Sequence, residues 1–172
     1  MGLYKYAFKV EDEKKVARAQ GYDYNASYKD LTQVCRAIRG KNVDDARKIL
    51  SEAIALKKAI PYHKFNKGLG HRSELGGKKG RYPRKEARIV LQLLNNAVAN
   101  AEHKGLDNEK LFVKSAIAYK QNTFPRYRRF WVGGATLGYG KQAIRSDYVT
   151  ARVEITLAEG TREKKQKKPK KK

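Results

Sequence analysis

Cys35 is the only cysteine in the chain. That excludes an internal disulfide framework and a multi-cysteine zinc site. Cys35 falls on an apolar helical face, so it reads as a buried thiol in a reducing cytosol. Acid is scarce as well: 17 Asp and Glu stand against 40 Lys and Arg, a formal charge of +23. Folding so much like charge together is costly unless a polyanion neutralises it. Nucleic acid fits best, and an anionic membrane surface is second. No apolar run approaches the length that crosses a bilayer. Residues 1–10 have no apolar leader region or small-residue cleavage site, so no secretory leader is expected. Gly2 follows Met1, but Tyr6 stands where a myristoylation signal needs Ser or Thr. His63, His71 and His103 pair with no cysteine or carboxylate at metal-ligand spacing. The acids at 11–13 form a charge run, and Asp44 and Asp45 suit a helix N-terminus. No metal site, cofactor or catalytic residue is expected.

The patterning that is present describes one α+β domain. Tyr22, Tyr24 and Ala26 alternate with polar residues, a short strand. Ser27 is placed to cap a helix with Leu31, Val34, Cys35 and Ile38 on one face, stopped by Gly40. A second helix starts near Asn42 to Asp44 and buries Ala46, Ile49, Leu50, Ala53 and Ile54, ending by Pro61. Residues 61–83 have no periodicity and read as a functional or disordered basic loop. A third helix follows Pro83, with Ala87, Val90, Leu91, Leu94, Ala97, Val98 and Ala101 inward and Gly105 at its end. Two strands come last. In the first, Val113, Ser115, Ile117 and Tyr119 share a face; in the second, Val149, Ala151, Val153, Ile155 and Leu157 do. The expected architecture is two-layer: three helices on a three-stranded antiparallel sheet, with a long extended β-hairpin. Residues 1–160 form a single domain that includes the basic loop 61–83 and the hairpin 113–157. Residues 161–172 are a Lys-rich tail.

Between the last two strands lies a segment too long for an ordinary hairpin loop. As a ribbon, half of it reaches roughly 40 Å at about 3.3 Å per residue. It carries Arg126, Tyr127, Arg128, Arg129, Phe130 and Trp131, then Lys141 and Arg145. Guanidinium forks and aromatic planes together suit RNA phosphates and bases. The glycines before Lys141 do not make a phosphate loop. Ala135 stands where the first glycine belongs, and Gln142 follows the lysine. They suit a hairpin tip made of Val132, Gly133, Gly134, Ala135, Thr136, Leu137, Gly138, Tyr139 and Gly140. Further candidate RNA contacts come from three places. The first helix end offers Arg36, Arg39 and Lys41. The basic loop offers Lys64, Lys67, His71, Arg72, Lys78, Lys79 and Arg81, with Arg84 just after it. The first hairpin arm offers Lys120.

These residues match a known pattern. Ala37-Ile38-Arg39-Gly40-Lys41, the 96–103 run Asn-Ala-Val-Ala-Asn-Ala-Glu-His, and the segment from Ile60-Pro61-Tyr62 to Gly80-Arg81-Tyr82-Pro83 are its carriers. Over about residues 21–159 the chain resembles the large-subunit ribosomal protein number twenty-two family, in its archaeal and eukaryotic branch. The resemblance implies a cytoplasmic, non-enzymatic constituent of the large ribosomal subunit. It implies binding to large-subunit ribosomal RNA, neighbouring ribosomal proteins as partners, and no membrane. The body would sit near the exit of the polypeptide tunnel. The hairpin would line that tunnel and meet the nascent polypeptide, with Arg126, Arg128 and Arg129 on its ascending arm. The tip departs from the family pattern: it is longer, more aromatic and uncharged until Lys141. A different class also remains open: an RNA-directed enzyme or a chromatin-like basic protein that uses the hairpin as an arm.

Overall fold

The computed structural model describes residues 5–7, 12–124 and 147–160. Its elements run β1 (Val16–Tyr24), α1 (Tyr28–Ile38), α2 (Val43–Ile54), β2 (Ile60–Pro61), β3 (His71–Arg72), β4 (Lys78–Arg81), α3 (Arg84–His103), β5 (Leu111–Phe124) and β6 (Tyr148–Glu159). The three long strands form an antiparallel sheet in the order β1-β6-β5. The middle strand, β6, supplies Ala151, Val153, Ile155 and Leu157, all fully buried. Cross-strand rows floor the core: Ala17–Leu157–Val113 and Ala19–Ile155–Ala116. The small residues on β1 let α3 come close, through its own Ala97 and Ala101. The result is the two-layer α+β fold, with β5 and β6 as the arms of a long hairpin.

The helix signals act where the sequence puts them. The Ser27 hydroxyl accepts from the Asp30 N–H at 3.3 Å, and Gly40 takes φ +72° beyond α1. Asp44 and Asp45 fill the first turn of α2, and Gly105 at φ +73° follows α3. Pro83 sits one residue earlier than expected, at the N-cap of α3. Ile49 and Leu91 are only half-buried, whereas Leu93 is buried.

Three expectations are corrected. The first strand begins at Val16, well before Tyr22, and Ala26 lies beyond its end. Ala17 and Ala19 are buried on the face that α3 covers, and Val16 is buried on the opposite face, beside Ala158. The Asn100 amide donates to Arg18 O at 2.9 Å, and Lys104 Nζ donates to Val16 O at 2.9 Å. The face assigned to β5 is broken by a bulge at Lys114, where Val113 pairs with Leu157 but Ser115 with Thr156. One extra residue reverses the parity of everything after it. Val113 and Ala116 therefore face the helices, while Ile117 and Tyr119 lie opposite Glu154 and Arg152 on the sheet's other face. There Glu154, only 3% exposed, accepts from Gln20 Nε2 and the Ala7 N–H and pairs with Arg152 at 3.2 Å.

The third correction concerns residues 61–83, which are built rather than structureless. β2, β4 and β3 form a small antiparallel sheet in that order. A Cβ on Gly80 would lie 2.8 Å from Ile60 O and 2.6 Å from Leu75 Cδ1, so only glycine lets β2 and β4 close. Gly76 and Gly77, at φ +63° and +76°, make the turn into β4. Buried Tyr62 and Leu69 tie the segment to the main core, and the Tyr62 N–H donates to Lys79 O at 2.9 Å.

Candidate nucleic-acid interface

The hairpin leaves the body through a polar clamp. Pairing runs from Leu111↔Glu159 to Phe124↔Tyr148, but burial fades along β5. Leu111, Val113 and Ala116 are buried, Ala118 and Tyr119 are half-buried, and Lys120, Thr123 and Phe124 are exposed. A second bulge falls between Lys120 and Thr123. At that point Asp23, at φ +52° in a bulge of β1, reaches both arms. Its Oδ1 accepts from Asn122 Nδ2 at 3.0 Å and from Thr150 Oγ1 at 3.2 Å. Its N–H donates to Gln121 Oε1 at 2.9 Å, and the Asn122 N–H donates to Thr150 Oγ1 at 3.2 Å. Beyond the clamp the Phe124 and Tyr148 rings pack 6.0 Å apart. Lys120 is therefore displayed at the root of the arm. Arg126, Tyr127, Arg128, Arg129, Trp131, Lys141, Arg145 and the whole tip 132–140 lie outside the described residues.

The small sheet displays a second group of cations. Lys64, Lys67, Lys78, Arg81, Arg84 and His71 are exposed, and Arg72 and Lys79 are half-exposed. Some are partly committed within the fold. Arg72 lies 5.2 Å from the Tyr82 ring centroid, and its Nε donates to Gly80 O at 3.3 Å. A ring nitrogen of His71, Nδ1, meets Gly77 O at 2.7 Å. At the end of α1, Arg36 and Lys41 are exposed, while Arg39 Nη2 donates to Ala116 O at 2.6 Å. Arg39 thereby ties α1 to β5, a second task for a residue chosen only for its charge. Gly40 and Lys41 pair with Val113 along the same edge of β5, which covers part of it.

Few of these charges are neutralised internally. Among the described residues, ion pairs are formed by Arg18, Arg47, Lys110 and Arg152, none of them in these groups. The same residues contain no His, Cys or carboxylate cluster able to hold a metal ion, and no helix long and apolar enough to cross a membrane. Cys35 is fully buried, and burial pushes its thiol up to about 12, so it is no nucleophile at ordinary pH.

The structure gathers Lys67 and Arg81 from the predicted set into one groove. Ser27, Lys29, Asp30, Phe65 and Asn66 complete its lining. Lys29 and Phe65 were missed from the sequence. Lys29 belongs to the N-terminal turn of α1, distant in the chain. The interleaving Lys64-Phe65-Asn66-Lys67 was the available signal for Phe65. Arg36, at the far end of α1, and Arg39, Lys41 and Lys120 beyond it do not line this groove.

The fold and its charge define a class: a basic α+β protein whose sheet extends into a two-stranded arm. Residues 19–136 match the model of the family described as ribosomal protein L22p/L17e, and the chain belongs to that family. It is 44% identical over 137 residues to the large ribosomal subunit protein uL22 of Archaeoglobus fulgidus, covering 79% of this chain and 88% of that one. To the uL22 protein of Methanothrix thermoacetophila it is 41% identical over 130 residues, 75% of this chain and 86% of that one. To that of Staphylothermus marinus it is 36% identical over 163 residues, 92% and 99% of the two chains.

Proposed function

We propose that this chain is a structural, non-catalytic constituent of the large subunit of the cytoplasmic ribosome. Its body binds large-subunit ribosomal RNA beside neighbouring ribosomal proteins, near the end of the polypeptide exit tunnel. Its hairpin runs through that RNA to the tunnel wall. The observation that carries this reading is the pairing of β5 with β6 as far as Phe124↔Tyr148, past the part of the ladder that the helices cover. An arm projecting beyond its own core needs an external partner. The sequence continues that arm into Arg126, Tyr127, Arg128 and Arg129, a phosphate-gripping and base-stacking set. Arg145 grips from the returning arm. Family membership and the names of the relatives support the ribosomal placement.

Residues 132–140 form the tip that meets the nascent polypeptide. They carry no charge, so a passing chain encounters little fixed charge there. Residues 1–160 act as one RNA-binding domain, and the Lys-rich residues 161–172 add unspecific attraction to phosphate. The test is co-sedimentation with large subunits through a high-salt wash. Replacing Arg126, Arg128 and Arg129 together with Ala should weaken incorporation, and deleting 133–140 should spare it. A chain that washes off the particle, or an arginine triple variant that incorporates like wild type, overturns the reading.

A further inference from the structure

The groove at the start of α1 has a feature that charge alone does not explain. Phe65 is 45% exposed, while most large apolar side chains among the described residues are in the core. Its backbone stands at φ +55°, a left-handed conformation that residues with a bulky side chain avoid. The backbone is held there from inside. Gln33, only 1% exposed, turns its Oε1 to the His63 N–H at 3.0 Å and the Lys64 N–H at 3.4 Å. Buried Tyr62 and Leu69 anchor the two sides of the loop. The ring is steadied as well. Tyr28 meets it edge-on, with centroids 6.2 Å apart and planes at 77°. Lys29 Nζ lies 5.7 Å from its centroid. Lys29, Lys67 and Arg81 line the same groove, and Asp30 is the one carboxylate there.

We propose that Phe65 is a stacking platform for an unpaired nucleobase of the bound RNA, with the flanking phosphates held by Lys67 and Arg81. This rests on the RNA-binding reading above and names one of its contacts. A flat ring on a fixed backbone stacks any base at little entropic cost, and cations beside it meet the phosphates that accompany a base. The charge of the groove favours an RNA strand over an apolar segment of a neighbouring protein. A left-handed backbone beneath an exposed ring is the kind of local strain that accompanies a binding role.

The decisive variant is Phe65→Asn in the full chain. Asn tolerates the left-handed conformation, so thermal stability should hold or rise. Affinity for large-subunit ribosomal RNA should nonetheless fall about 5- to 100-fold, the loss of one stacked base. The slope of log affinity against log salt should stay unchanged, because no phosphate contact is removed. Phe65→Trp should bind within about threefold of wild type. Lys67→Ala should instead lower the salt slope by about one phosphate contact. Zero-length ultraviolet crosslinking of the assembled large subunit should leave a nucleotide on the peptide that contains Phe65. Wild-type affinity in Phe65→Asn, while Lys67→Ala still weakens binding, overturns the platform and leaves the RNA-binding reading standing. So does a crosslink from Phe65 to protein alone. A wild-type chain with no affinity for this RNA overturns both.

Discussion

Asp23 holds the root of the arm, and three substitutions there separate what its carboxylate does from what its backbone does. Asp23 stands at φ +52°, and its Oδ1 accepts from Asn122 on β5 and Thr150 on β6. At the start of the bulge the Tyr24 ring lies over Gly21, where a side chain would have to displace it. Asp23→Asn keeps an oxygen acceptor and the tolerance for a left-handed backbone, so it should cost under about 1 kcal/mol. Asp23→Gly keeps only the backbone freedom. Losing two partly solvated hydrogen bonds should cost about 1–2 kcal/mol. Asp23→Ala loses both, and the left-handed backbone adds roughly 1–2 kcal/mol. The predicted order of destabilisation is Asn, then Gly, then Ala, the last near 2–4 kcal/mol in sum. Urea denaturation reads it as a falling midpoint at constant m. Amide exchange adds a local readout: the Asn122 N–H, which donates to Thr150 Oγ1, should exchange faster in the Gly and Ala variants. If Asp23→Ala is as stable as wild type, the clamp does not hold the arm and the argument fails; if it is no worse than Asp23→Gly, the left-handed backbone carries no cost.

Three further outcomes test the body. Ala97 is fully buried where α3 meets the sheet, so Ala97→Leu should overpack it by roughly 1–3 kcal/mol, read as a lower urea midpoint. Gly80→Ala should part β2 from β4, because the new Cβ meets Ile60 O at 2.8 Å; the Tyr62 amide, bonded to Lys79 O, should then lose its exchange protection. Cys35 tests the sign of a buried thiol, raised by burial from 9.0 to about 12. Its contribution to stability is complete below pH 9 and is lost as pH rises toward 12, at about 1.4 kcal/mol per pH unit. Stability differences between wild type and Cys35→Ala should therefore be constant below pH 9 and shift in favour of the variant above it. A difference that stays flat to pH 11 would mean the thiol is not buried.

Much of this fold was legible because its helices carry redundant signals. In α1 the cap Ser27, the face Leu31, Val34, Cys35 and Ile38, and the stop at Gly40 all agree. β6 alternates without interruption, so its inward face was plain. The start of β1 is hard to read from sequence because Ala17 and Ala19 are small, weakly patterned residues whose burial depends on α3 lying over them. The Lys114 bulge is a property of pairing with β6 and leaves no mark on β5 alone. The small sheet escaped notice because strands of two to four residues are too short to show a period. Its register rests on the Gly80 contact and on Tyr62. At the interface, charge marked Lys67 and Arg81 in advance. Phe65 was hidden because one aromatic in a loop resembles any other until its backbone and neighbours are seen.

The central claim places the hairpin tip at the wall of the exit tunnel. It is tested most directly by a photocrosslinker at Leu137 in chains incorporated into large subunits, with ribosomes stalled on a nascent polypeptide. The account predicts a crosslink between residue 137 and the nascent chain, and none from a crosslinker at Lys48 on the exposed face of α2. Full incorporation with no nascent-chain crosslink from residue 137 would contradict it.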